Sequence, residues 1–188
     1  MNAHWKSFIY RNGYLIITAA WLYTISFLFI NYWSYRSSPA KVKSSLEKRL
    51  ADQSNWVDAL SNDSIRIQQL LINHYPESEP DQDQPGIFLF EGNANAVQAR
   101  LLYWNTNRMY YEPAELALPE GYHFVTHRNG EFELVRKNIR HRGQLYTIFA
   151  LIPIRWNYFI ENKYLRTHFA GFDHLEEQYE ITDHPQAI

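Results

Sequence analysis

Eight histidines and no cysteine bound the chemistry open to this 188-residue chain. Without cysteine there is no disulfide, no thiol nucleophile and no cysteine-ligated zinc. His123 and His127 stand four apart, but in a strand that spacing separates them by about 13 Å. His168 and His174, with Asp173 and Glu176 nearby, are an ordinary density of polar groups. Glu131 with Glu133, and Glu176 with Glu177, read as strand-face and helix-surface charges rather than as a paired acid and base. The seven glycines occur singly, in neither common phosphate-cradling spacing, and no Gly-x-Ser-x-Gly elbow is present. No metal, no cofactor and no catalytic residue is therefore expected. A membrane-anchored hydrolase is disfavoured because no nucleophile, base and orienting group can be assembled.

Two richer clusters remain. In the first, Leu101-Leu102-Tyr103-Trp104-Asn105-Thr106-Asn107, a strand delivers a tryptophan to a two-amide turn. Amides cap turns without needing a ligand, and Trp104 is more simply a core residue. In the second, an apolar strand is expected to end at Pro153, followed by aromatic residues and a short helical or turn segment presenting Asn162, Tyr164, Leu165 and Phe169. If a ligand pocket exists, the expected lining is Trp104, Asn105, Tyr110, Arg136 and Tyr146, which combine aromatic surface with polar groups on adjacent strands.

The elements that would carry these residues follow from patterning. Asn12 to Tyr35 contains no charged side chain, and about 20 residues cross the roughly 30 Å hydrocarbon layer of a bilayer. Tyr14 at one end, and Tyr32, Trp33 and Tyr35 at the other, stand where an aromatic belt anchors a span. A cleaved signal peptide fits poorly, because the apolar run is too long and Arg36-Ser37-Ser38-Pro39-Ala40 is a poor cleavage site. Residues 12–35 thus read as an uncleaved transmembrane helix behind a short tail at 1–11. Charge leaves its orientation open. Lys6 and Arg11 precede the span and Arg36, Lys41, Lys43, Lys48 and Arg49 follow it, the later ones interleaved with Glu47 and Asp52. The formal net charge of −2 and the lack of a long basic block give no reason to expect nucleic acid.

Beyond the span, Val42, Leu46, Leu50, Val57, Leu60, Ile67 and Leu71 keep one helical face apolar through a juxtamembrane segment at 36–75. Ser61-Asn62-Asp63-Ser64 marks a break, with Asp63 or Ser64 as cap of a second piece. This segment packs on a sheet, pairs with a second copy of the chain, or does both. Residues 76–86 form an acidic, proline-punctuated, solvated linker without a calcium-binding pattern. Strands are expected at Ile87–Phe90, Ala99–Trp104, Met109–Tyr111, Tyr122–Thr126, Phe132–Val135 and Leu145–Ile152, with Arg140-His141-Arg142-Gly143 as a hairpin loop. Leu145, Phe149 and Leu151 alternate with Tyr146, Ile148, Ala150 and Ile152, so this last strand is apolar on both faces and belongs mid-sheet under a covering helix. The fold class is α/β (α+β): a transmembrane helix continuing into a long helix, then an antiparallel, PAS/Cache-like sheet of about five strands at 87–169, and a C-terminal tail at 170–188.

Leu102-Tyr103-Trp104-Asn105-Thr106-Asn107, the strand Tyr146 to Ile154 and the segment Tyr158 to Phe169 together resemble the N-terminal sensor region of bacterial transmembrane histidine kinases. The resemblance spans about residues 12–188, with Asn105 where a serine is usual. It implies an input domain outside the cytoplasmic (inner) membrane, sensing an unknown small-molecule or protein signal, and an N-in orientation. A homodimer through the membrane-proximal helix is expected from the apolar stripe of the juxtamembrane segment. The resemblance supplies no catalytic residues. The phosphoacceptor helix, the ATP-lid boxes and the second span of that family are not found in these residues, as for a truncated or split gene product. The competing expectation is a single-pass envelope protein that tethers or assembles partners.

Overall fold

The computed structural model describes residues 3–36, 39–72, 80–92, 100–158, 160 and 166–172. By contact the chain divides into two units, one ending at Ser44 and the other beginning at Ser45. In the first, helix α1 covers Ala3–Arg36, so the short segment before the span is helical from Ala3. Within it Asn12–Tyr32, 21 residues, is long and apolar enough to cross a membrane, and none of that stretch is buried. Leu15, Ile17, Leu22, Leu28 and Ile30 all stand exposed, a circumference suited to lipid rather than to a protein interior. Thr18 donates from Oγ1 to the Tyr14 carbonyl at 2.8 Å and Thr24 to that of Ala20 at 2.9 Å. These bonds back to the preceding turn satisfy both hydroxyl donors within the helix.

Helix α2 (Pro39–Asn62) starts on a proline, whose missing N–H costs nothing in a first turn. It gives way to α3 (Ser64–Ile72) at the expected break. Of the two possible caps Asp63 serves: its Oδ1 accepts from the backbone N–H groups of Ile65 and Arg66 at 3.0 and 3.1 Å, satisfying donors that the first helical turn otherwise leaves open.

Six strands follow: β1 (Gly86–Glu91), β2 (Arg100–Trp104), β3 (Gly121–His127), β4 (Gly130–His141), β5 (Gln144–Trp156) and β6 (His168–Phe169). They form one open antiparallel sheet in the order β2-β1-β5-β4-β3, with β6 added beside β5. The α+β class is as expected, with two changes of detail and a tighter hairpin. Arg142 and Gly143, with φ of 51° and 83°, make a two-residue turn whose left-handed pair matches the twist of the flanking strands. Arg140 and His141 belong to β4.

The first change is that β5 runs through Pro153 instead of stopping there. Pro153 faces Phe132 beside a register shift between Glu131 and Phe132. On the other edge the β1 ladder ends at Leu151 and the β6 ladder begins at Arg155. The missing N–H thus falls at a bulge on one side and in a gap on the other. The second change is that Met109–Tyr111 is not a strand. These residues cross over the sheet, where Met109 is buried and the Tyr111 ring meets Phe88 and Phe90 edge-on, with centroids 5.6 and 4.9 Å away. Packing on the face replaces pairing at the edge. A 3₁₀ turn at Pro113–Ala117 completes the crossing.

Both faces of the sheet are covered, and the alternation along β5 sorts as its sequence requires. Ile148, Ala150 and Ile152 join Ile87, Leu89 and Val135 beneath Val57, Leu60 and Ile67 of α2 and α3. Phe149 and Leu151 join Phe88, Phe90, Phe132, Leu134 and Trp156 beneath Met109 and Leu116. Full burial of each such side chain is worth about 1.5–3 kcal/mol. Polar contacts set the rotation of α2 over the sheet: Ser54 Oγ donates to Glu133 Oε2 at 2.8 Å, and Asp58 takes Lys137 at 2.5 Å and the Tyr122 hydroxyl at 3.0 Å. Among the described residues β3 pairs with β4 alone, and its Tyr122 and Phe124 are 50% and 57% exposed.

If α3 is a structural lid, Ile67→Ala should cost about 2–5 kcal/mol and Asp63→Ala about 0.5–2 kcal/mol. Equilibrium denaturation of the full chain in detergent reads both. An Ile67→Ala variant as stable as the parent would detach α3 from the core.

Candidate functional site

The break at Asp63 does more than end a helix. It lets α3 turn so that Ile67 stays on the sheet while Arg66, Gln69 and Leu70 border the rim above β1 and β2. With Trp56 and Leu60 of α2 they form one side of a cleft of about 350 Å³. Ile87, Tyr103 and Asn105 form its floor, and Pro80, Gln84 and Pro85 of the linker close one end. The walls are mostly apolar, and Trp56 is 43% exposed. Arg66 is held at the rim by Asp63, with Nε 3.3 Å from Oδ2. Burial pushes the Tyr103 hydroxyl above its ordinary value. The lining thus combines apolar surface with the polar groups of Arg66, Gln69, Gln84 and Asn105, drawn from several elements.

The described part of the linker, residues 80–86, is packed in part: Pro85 is buried and Asp83 half-buried, while Asp81 and Gln84 are exposed. Asp83 is a junction of four pieces of chain. Its Oδ2 accepts from the Gly171 N–H at 2.7 Å and its Oδ1 from Trp156 Nε1 at 3.2 Å, with His168 Nε2 3.5 Å from Oδ1. Its backbone carbonyl accepts from the Arg49 guanidinium, which also donates to the Pro153 carbonyl at 2.9 Å. Gly171 has φ +82°, and a Cβ there would lie 3.0 Å from Arg49 Cδ and Nε. Burial alone would raise the Asp83 carboxyl, but hydrogen bonds from His168 and Gly171 and the charges of His168 and Arg49 outweigh it and hold the group below its ordinary value. Burial lowers Arg49 in turn, opposed by Asp83.

The five residues expected to line a pocket are not brought together. Asn105 alone borders the cleft, and its amide is committed to the backbone: Oδ1 accepts from Ile87 N at 2.7 Å and Nδ2 donates to the Pro85 carbonyl at 3.0 Å. Trp104 packs on the opposite face and donates from Nε1 to Asn107 Oδ1 at 3.2 Å. Arg136 is buried there as well, donating to the Leu118 carbonyl with its guanidinium 5.8 Å from the Phe149 ring centroid. Tyr110 accepts from Arg128 N at 3.1 Å and stacks on His127 at 4.9 Å. Tyr146 packs with the α2–α3 face.

Asn162, Tyr164 and Leu165 lie outside the described residues, as do His174, Asp173 and Glu176. Phe169 is buried in β6. His123 and His127 take different partners, the Pro119 carbonyl at 2.9 Å and Glu115 Oε1 at 2.6 Å. Among the described residues no three metal-ligating side chains cluster.

Sequence reasoning missed Trp56, Arg66, Gln69, Gln84 and the Asp83 junction. The one available signal was Trp56, an aromatic placed beside the apolar stripe of α2 rather than on it.

A carboxyl depressed in the folded state contributes stability that is present above its unfolded value, about 4, and is lost as pH falls through the lower folded value. Thermal melts of the full chain should therefore weaken on acidification through that range. Asp83→Asn should lower the melting temperature at pH 7 and flatten this limb. Superimposable pH profiles for variant and parent would remove Asp83 from the account.

With this geometry in place, comparison of the chain with protein-family models, curated proteins and solved structures returns no match to any of them.

Proposed function

We propose that this chain is the membrane-anchored, extracytoplasmic input region of a bacterial two-component sensor histidine kinase, held in the cytoplasmic (inner) membrane by α1. What carries the reading is one combination. An exposed apolar helix of membrane-crossing length stands in the same chain as an open antiparallel sheet roofed on one face by helices that border a cleft. The resemblance of residues 102–107, 146–154 and 158–169 to such input regions supports it. The domain itself needs no catalytic group.

In this reading α2 is the output element. A ligand in the cleft touches α2, α3, the linker and β1–β2 at once, and so favours one packing of the helices over another. A ligand shifts such an equilibrium only by its difference in affinity for the two states, and couplings of about 1–3 kcal/mol are typical. Because Gln84 borders the cleft and the adjacent Asp83 holds Arg49, the same linker joins the cleft to α2. A second copy of the chain, paired along α2, completes the receptor.

The test is made in native membranes. The full chain should resist carbonate extraction, and a C-terminal epitope should be digested by protease added to spheroplasts. Cross-linking followed by affinity purification should recover a protein with a phosphoacceptor histidine whose autophosphorylation rate responds to Trp56→Ala. Carbonate release, a protected epitope, or recovery of envelope-assembly proteins without any kinase would overturn the proposal.

A further inference from the structure

We infer that the cleft between α2–α3 and β1–β2 binds a small carboxylic acid with an apolar, ring-sized body, its carboxylate paired with Arg66. This rests on the sensor reading above and names the chemical class of its ligand. The sign of the charge comes first. Arg66 is the single charged side chain among the described lining residues, and no carboxylate borders the cleft there. Asp63, the acid paired with Arg66, is spent: Oδ1 accepts from two backbone N–H groups and Oδ2 pairs with Arg66 Nε. A carboxylate finds the terminal nitrogens of a planar donor fork whose Nε is tethered to Asp63 at the rim, whereas a cationic guest finds no carboxylate among the described lining residues.

The size and the body follow from the walls. A volume of about 350 Å³ lies at the small end of the range for ligand sites, about 300–1,000 Å³. Indole and phenol surfaces of Trp56 and Tyr103 face a space otherwise bounded by Leu60, Leu70 and Ile87. Trp56 keeps 43% of its surface in water, an exposure that an apolar ring would relieve. Gln69 and Gln84 add neutral amides, which hydrogen-bond a carboxylate without adding charge. Asn105 is fully engaged with Pro85 and Ile87, so it shapes the floor and is not a ligand group.

The probes are phenylacetate, its neutral isostere phenylacetamide and the cation 2-phenylethylamine. Each is titrated calorimetrically into the full chain in lipid nanodiscs, against empty nanodiscs. Phenylacetate should bind about tenfold or more tightly than the amide, and the amine more weakly than either. Arg66→Gln should abolish the preference for the acid while leaving the amide unchanged, and Arg66→Lys should restore part of it. Trp56→Phe should keep binding of both acid and amide, and Trp56→Ala should weaken both. Arg66 is surface-exposed and paired only within one helical turn, so its variants should melt with the parent, which a thermal scan verifies. Equal binding of acid and amide, or a preference that survives Arg66→Gln, overturns the carboxylate assignment while the cleft and the sensor reading stand. Binding by none of the three probes overturns the small-acid inference, and the spheroplast and cross-linking outcomes judge the sensor reading separately.

Discussion

A strand that is apolar on both sides has to be covered twice, and the architecture follows from meeting that demand for β5. Its thirteen residues place Ile148, Ala150 and Ile152 on one face and Phe149 and Leu151 on the other. In an antiparallel sheet one face is commonly left to water; here neither is. The α2–α3 pair roofs one side. The long connection from β2 to β3, with Met109, Leu116 and Tyr111, roofs the other. The two roofs differ in kind, one made of regular helices and the other of irregular chain pinned by side chains. The helical roof is the one that reaches back along the sequence toward the apolar helix α1.

Asp83 is where that roof is fastened. Arg49 of α2 reaches its carbonyl and the Pro153 carbonyl of β5, while the carboxylate gathers Trp156, Gly171 and His168. One acidic residue in a proline-bounded stretch thus ties helix, linker, central strand and β6 together. The cleft lies immediately along the same stretch of linker. The border of the cleft and the tie to α2 therefore share a few consecutive residues.

Much of this was legible in the residue order because it depends on periodicity. The apolar stripe of α2 and α3, the break at Asp63 and the double-faced alternation of β5 each follow from local rules and reappear in the structure. What escaped was set by distant partners. Pro153 reads as a terminator, yet it is tolerated where a bulge meets a gap between two ladders. Met109–Tyr111 has strand composition but spends its side chains on the sheet face. Asp83 sits in a segment whose composition signals solvation, and nothing local reveals the donors of Arg49, Gln53, Trp156, His168 and Gly171 converging on it. Arg136 and Tyr146 share neighbouring strands while β1 separates both from Trp104 on β2, and the pleat sends Trp104 and Arg136 to one face and Tyr146 to the other. Adjacency along the ladder says nothing about facing the same side unless parity is followed through each bulge.

The free rim of β3 has a practical consequence. Among the described residues no strand pairs with its outer side, and no lysine, glutamate or proline interrupts Gly121-Tyr122-His123-Phe124-Val125-Thr126-His127. Charged gatekeepers of that sort are how sheet proteins discourage sideways growth into fibrils. At the high concentrations used for crystallisation or magnetic resonance, this border is where unwanted strand-by-strand polymerisation would begin. A single lysine in place of the solvent-facing Phe124 is the natural remedy.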